Sequence, residues 1–269
     1  MNSVMLILRD TIKKEMRNKA LIVIFILNIL LFAIVSMGLD FIIGFVGNSG
    51  LPMDLNSQKI HVFMFFINKW TGLLAILFGI SCVKSDEEEG LLGQVLSLPI
   101  GRNHYLIGRI FGAATIVFCF YLFLCLMGGI GILMSGGNWP FGLNFFLAAP
   151  IKCFYILSII LISVLISFFS SKILSFLLMI ILFILVDISG AMNAGKNLGE
   201  LFTELSIFKV FNLIVFILFP HLPELDKFNA DLLFKTNDVV NPILELSHMV
   251  FSFGVLYLIL WLIFRKKEV

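Results

Sequence analysis

Apolar residues run through the chain in blocks long enough to cross a bilayer, and the polar positions collect between them. Ala20 to Leu39, interrupted only by Asn28 and Ser36, is the first block, and residues 61–83, 106–134, 151–169, 173–189 and 248–264 follow. A hydrocarbon core of about 30 Å takes about 20 helical residues. The pattern therefore predicts an all-α polytopic membrane protein with six transmembrane helices. Ser170, Ser171 and Lys172 alone separate the fourth and fifth blocks, a turn short enough to force an antiparallel pair. Ahead of the first block, Val4, Leu8, Ile12 and Met16 recur at helical spacing while Arg9, Lys13, Lys14, Arg17 and Lys19 fill the other side. Such an amphipathic segment is expected to lie along the membrane surface with its basic face toward anionic lipid; a solvated, frayed leader is the alternative.

Residues 205–219 form a further apolar run of 15 residues containing Lys209 and Asn212 and ending at Pro220. That is short for a crossing, and a seventh span would place the two chain ends on opposite sides. The run reads as an outer re-entrant or interfacial helix between the fifth and sixth spans, with a seven-span topology as the alternative. Residues 1–269 are then one transmembrane domain: residues 1–19 an elbow, residues 84–101 a loop on the side of the termini, and residues 190–247 an outer segment.

Composition agrees with the pattern. Of 269 residues, 60% are apolar and 13% charged, against roughly 45 to 50% and about 25% in soluble domains; the mean hydropathy is +1.07. The net charge is only +2, and scattered Lys and Arg give no footprint for nucleic acid. The cysteines, Cys82, Cys119, Cys125 and Cys153, lie in or beside apolar stretches without CxxC spacing and read as packing residues. The first apolar block lacks a small-residue cleavage pattern and is expected to remain as a span. With the N-terminus inside, 12 Lys and Arg fall on that side and 7 on the other. Positive charge favours the cytoplasmic face, so both termini are expected to be cytoplasmic in a cell (inner, cytoplasmic) membrane.

Few residues suggest chemistry. Gly190 to Asn197 matches G-x-x-x-x-G-K but carries Asn where a Mg²⁺-holding Ser or Thr belongs, and it follows a span on the outer side, so a Gly-rich exit turn is the better reading. The histidines at 61, 104, 221 and 248 are far apart, and no metal-binding or nucleophile motif appears. The chain is expected to be no enzyme, with no metal site and no directly bound cofactor. Charges inside apolar blocks are the default functional candidates. Lys69, Arg109 and Asp187 all lie within reach of an interface, which favours anchoring or ion pairing over a transport site. Small residues at Ser163, Ser167, Ser171 and Ser175, and at Gly108 and Gly112, permit close helix approach.

The loop after the second span is the most informative stretch. Asp86, Glu87, Glu88 and Glu89 are expected at the positive end of a short helix; Leu91, Leu92, Val95, Leu96 and Leu98 gather on one side, and Pro99 ends it. An apolar face led by acids suits a protein groove with basic or polar rims better than an anionic lipid surface; an ordinary linker helix is the alternative.

Residues Glu88 to Arg109, EEGLLGQVLSLPIGRNHYLIGR, resemble the E-x-x-G-[ST]-[LI]-x-x-L-L-S-x-P-[IV]-x-R-x-x-[YF]-x-x-G-K signature of ABC-2 type exporter permeases. The basic leader resembles the elbow helix of that family. Pro223 to Asn229, PELDKFN, resembles the P-N-L-x-x-F-N motif of the branch named for multicopper-enzyme and nitrous oxide reductase maturation. Leu91 and Leu92 replace the usual small-hydroxyl and aliphatic pair, and Glu224 stands where that branch has Asn. The resemblance implies a permease dimer, of two identical or related copies, embedded in the lipid bilayer and driven by two cytoplasmic ABC ATPase subunits that carry ATP and Mg. It makes Asp86 to Leu98 the coupling helix, with Pro99, Arg102 and the elbow cations Arg9, Lys13, Lys14 and Arg17 flanking it. It makes the outer segment, with Pro223, Glu224, Phe228 and Asn229, a gate or a dock for an extracytoplasmic partner. A self-contained secondary carrier or a lipid-modifying membrane enzyme is the alternative function.

Overall fold

The structure is a computed structural model that describes residues 3–17, 19–47, 55–96, 101–134, 139–193, 210, 219–234 and 242–266. Among these the helices are α1 (Ser3–Arg17), α2 (Lys19–Gly47), α3 (Leu55–Glu88), α4 (Leu91–Leu96), α5 (Arg102–Met134), α6 (Phe145–Ser167), α7 (Lys172–Asn193), α8 (Leu222–Phe234) and α9 (Pro242–Lys266). Six of them, α2, α3, α5, α6, α7 and α9, are long and apolar enough to cross a membrane. Most of the run at 205–219 lies outside the described residues, as do Leu98 and Pro99.

The helices overrun the predicted blocks. At about 1.5 Å per residue, the 34 residues of α3 and 33 of α5 exceed the hydrocarbon thickness and carry polar ends beyond it. The centre of the bundle is α3 packed on α5 and α6. About 67% of the central window of α3 is buried against 11% of that of α2, so α2 turns Ile22, Val23, Ile26, Leu30 and Ile34 outward, an arrangement that only a lipid-like surrounding makes favourable.

Close approach is built from small residues. A Cβ on Gly79 would stand 2.7 Å from the Ser163 Cβ and 3.1 Å from the Ile160 Cα, so α3 and α6 nearly touch at backbone level. Ser163 can line that contact because its hydroxyl donates to the Ile159 carbonyl of its own helix at 2.8 Å. Ser167 is buried at the end of α6 and Ser175 in the first turn of α7, whereas Ser171 is exposed in the turn between them. Gly108 and Gly112 of α5 receive Ile7 and Thr11 of α1, with Cβ approaches of 2.8 and 2.7 Å. α1 thus meets α5 through Ile7 and Thr11, while Val4, Leu8 and Ile12 of its apolar stripe are half-buried and Met16 is exposed.

Helix α1 and the C-terminal end of α9 lie at one end of the bundle, called proximal here. There Arg102 donates to the Arg265 carbonyl at 2.9 Å, and the Phe264 ring stacks on Tyr105 and Phe168. At the other, distal end, α8 packs across α6, α7 and α9.

Candidate functional site

The proximal end is organised around one buried carboxylate. Asp86 was expected at the start of a short helix, but α3 continues through Glu88, so these acids ride on the end of a spanning helix, at the negative pole of its dipole. Cations make that placement tolerable. Asp86 is 1% exposed and pairs with Arg109, accepts from the Tyr105 hydroxyl at 2.6 Å and from Lys14 Nζ at 2.9 Å. Arg109 also donates to Thr11 Oγ1 at 3.1 Å. Lys84 lies 3.3 Å from Glu87, and Lys172 at the start of α7 2.7 Å from Glu88. The acidic run thus joins α1, α3, α5 and the start of α7, and Asp86, buried at its centre, is an internal strut.

The chain breaks after Glu89. Gly90 adopts φ +69°, a left-handed conformation that costs other residues roughly 1–2 kcal/mol, and α4 starts immediately beyond it. Leu92 is buried at 3% exposure and anchors α4 on the core, Leu91 is half-buried, and Gly93 and Gln94 are exposed. Only the backbone of Val95 and Leu96 is described, as helix. Lys14 bridges the strut to the turn, because its ammonium also reaches Glu89 at 2.9 Å. Partial burial alone would lower the Lys14 pKa, but hydrogen bonds to Glu89 and Asp86 and their negative charge raise it above its ordinary value. The neighbouring Glu15 carboxyl is pushed up, chiefly by burial, against the lowering influence of Lys14 and Arg109. Arg9, Lys13 and Arg17 are exposed on the far side of α1. Arg102 caps the α9 carbonyls, a favourable use of a cation at a helix C-terminus.

Further ion pairs lie toward the distal end. Lys69 of α3 pairs with Asp187 of α7, as expected for charges near an interface. Lys152, fully buried in α6, meets Asp226 of α8 at 2.8 Å, and its Nζ sits 3.8 Å from the Tyr155 ring centroid. Of the predicted gate residues, Pro223 seats on Gly190, where a Cβ would come within 2.8 Å. Glu224 pairs with Lys227 at 2.9 Å, Phe228 is half-buried, and Asn229 is buried. Gly190 belongs to α7, so the phosphate-loop-like stretch starts inside a helix. No cluster of His, Cys, Asp and Glu with metal-binding geometry occurs among the described residues.

The sequence profile described as "ABC-2 family transporter protein" matches residues 5–265, nearly the whole chain. The chain belongs to the ABC-2 transporter family. No curated protein sequence matches it significantly. As an ABC-2 chain it is a multi-pass transport protein of a family that works with ABC ATPases, and its proximal end holds the only segment among the described residues that combines a glycine hinge, a short helix and a charged strut. Sequence reasoning missed two features of this ABC-2 chain: the Asp86–Arg109–Tyr105 strut and the Lys152–Asp226 pair. Lys152 stands within the fourth predicted span, a signal that could have marked it; its partner, 74 residues away, carried none.

Proposed function

We propose that this chain is the permease subunit of an ATP-driven exporter in the cytoplasmic (inner) membrane, working as a dimer with two cytoplasmic ABC ATPase subunits that hold ATP and Mg. The proximal end, with α1 and the C-terminal end of α9, faces the cytoplasm, in keeping with the excess of Lys and Arg on that side. The observation that carries this reading is the mounting of α4. It is hinged at Gly90, anchored by Leu92 and tied through Lys14 to both Glu89 and Asp86. A push on α4 is passed by Asp86 and Arg109 into α5 and by Lys14 into α1, so three helices receive it together. α8, held at the far end by Lys152 and Asp226, serves as the outer gate or as a dock for an extracytoplasmic partner.

The test is co-purification with a candidate partner ABC ATPase co-expressed with the chain. Among the described side chains of α4, Leu91 is half-buried, Gly93 and Gln94 are exposed, and Leu92 faces inward. Leu91→Asp with Gln94→Asp should abolish the complex while the permease stays monodisperse; Leu92→Asp should instead damage the permease itself. A complex formed at normal yield by the first variant, or transport by the chain reconstituted without any ATPase, would overturn the proposal.

A further inference from the structure

We propose that the junction of α5, α6 and α8 around Lys152 is a cargo site for an anionic oxygen group, and that Asp226 occupies it as a tethered substitute while α8 is seated. This rests on the permease reading above and adds the chemical class of what is carried. Burying a charge inside a membrane-spanning helix costs several kcal/mol, and an apolar pair would join two helices at lower cost. The cation here is 0% exposed, yet its counter-ion sits on a helix of only 13 residues that is not a candidate span. The Lys69–Asp187 pair differs: both residues belong to spanning helices and are each about a third exposed. Lys152 is therefore the cation whose compensation depends on a separable element.

Its surroundings offer unused hydrogen bonds. The Tyr121 and Tyr155 hydroxyls and both polar atoms of the Asn229 amide are buried and make no hydrogen bond of ordinary length and angle, where more than about 90% of buried polar groups ordinarily have a partner. Lys152 Nζ lies over the faces of both tyrosines, 5.8 and 3.8 Å from the ring centroids. Their nearest polar neighbours, in weak contact, are Cys125 and Asn229 for Tyr121 and Asp226 for Tyr155. Asn229 follows Asp226 by three residues and shares its face of α8. An ammonium with two hydroxyls and an amide N–H is a donor set for a carboxylate or phosphate oxygen. Movement of α8 would withdraw Asp226 and leave that set to an incoming anion.

Chemical rescue tests this on the purified full-length chain in neutral detergent. Asp226→Ala removes the tethered carboxylate and should lower the thermal midpoint; sodium formate should restore it, sodium chloride at equal ionic strength should not, and Lys152→Met with Asp226→Ala should show no formate response. Adding Tyr121→Phe to Asp226→Ala should raise the formate concentration for half-rescue about tenfold, one hydrogen bond to a charged group. If Asp226→Ala does not accumulate, Asp226→Asn takes its place. Tyr121→Phe in the otherwise unaltered chain should leave the midpoint unchanged. Rescue by chloride as well as formate, no rescue at all, or a fall of several degrees for Tyr121→Phe alone would each overturn the proposal. Neither arm uses an ATPase, so failure of the docking test above is distinguishable from failure here.

Discussion

Replacing Asp86 by Asn isolates the charge at the centre of the proximal end without changing side-chain size. The carboxylate is 1% exposed and its main cationic partner, the Arg109 side chain, 6%, so neither can recruit water once the other is neutral. Breaking a buried pair from one side costs about 3–5 kcal/mol, because the remaining charge stays buried. The Asn carbonyl oxygen still accepts one hydrogen bond, from Tyr105 or Lys14, which keeps the loss within that range. At about 2–4 °C per kcal/mol for a chain of this size, the thermal midpoint should fall by roughly 6–20 °C. Glu89→Gln is the internal comparison. It also removes a carboxylate bound to Lys14, but from a side chain 50% exposed, so the cost should stay within about 0.2–1 kcal/mol. The decisive arm is Asp86→Asn with Arg109→Met, which removes the stranded cation and should recover most of the lost stability. Tryptophan fluorescence during a thermal ramp in detergent measures all four proteins. Equal losses for Asp86→Asn and Glu89→Gln, or a double variant less stable than Asp86→Asn, would refute the strut.

Gly79→Ala places a methyl 2.7 Å from the Ser163 Cβ and 3.1 Å from the Ile160 Cα, backbone that cannot yield, so it should cost about 1–3 kcal/mol; Gly38→Ala, with nothing within 4 Å, should leave the midpoint unchanged or slightly raised. Gly90→Ala meets no neighbour but inherits φ +69°, so it should lose roughly 1–2 kcal/mol, whereas Gly90→Asn should be largely spared, a difference readable in thermal midpoints and in protease cleavage at the α3–α4 turn. Glu15 binds its proton more tightly folded than unfolded because of burial, so it favours the folded chain below the ordinary glutamate value of 4.5, and that contribution is lost as pH rises through the elevated folded value. Glu15→Gln should therefore raise the midpoint at pH 7, and the gain should shrink on acidification toward 4.5; a gain independent of pH would assign Glu15 a different role.

What could be read in the sequence follows from the range of each interaction. Spans are local, since the bilayer sets their length and the apolar composition shows it, and all six appear where the hydropathy pattern puts them. Their ends are not local. α3 was expected to stop near Val83 because acids follow, but Arg109, Tyr105 and Lys14 satisfy Asp86 from 19 to 72 residues away, and a helix whose charges are paired has no reason to end. It ends instead at the first residue requiring a left-handed backbone, Gly90. The same gap separates spacing from pairing elsewhere. Gly108 and Gly112 announced a close helix contact, yet nothing in the sequence said that the partner is α1; α1 itself advertised the Val4–Leu8–Ile12–Met16 face to lipid while Ile7 and Thr11 fit the groove. Lys69 and Asp187 were placed near an interface and found each other there. Lys152 was counted with the outer charges because it stands one residue inside its predicted block, and only the fold of α8 over α6 makes it a buried cation. A charge's depth in a membrane protein is a property of the helices around it, so the residues that govern movement are the ones that hydropathy locates least well.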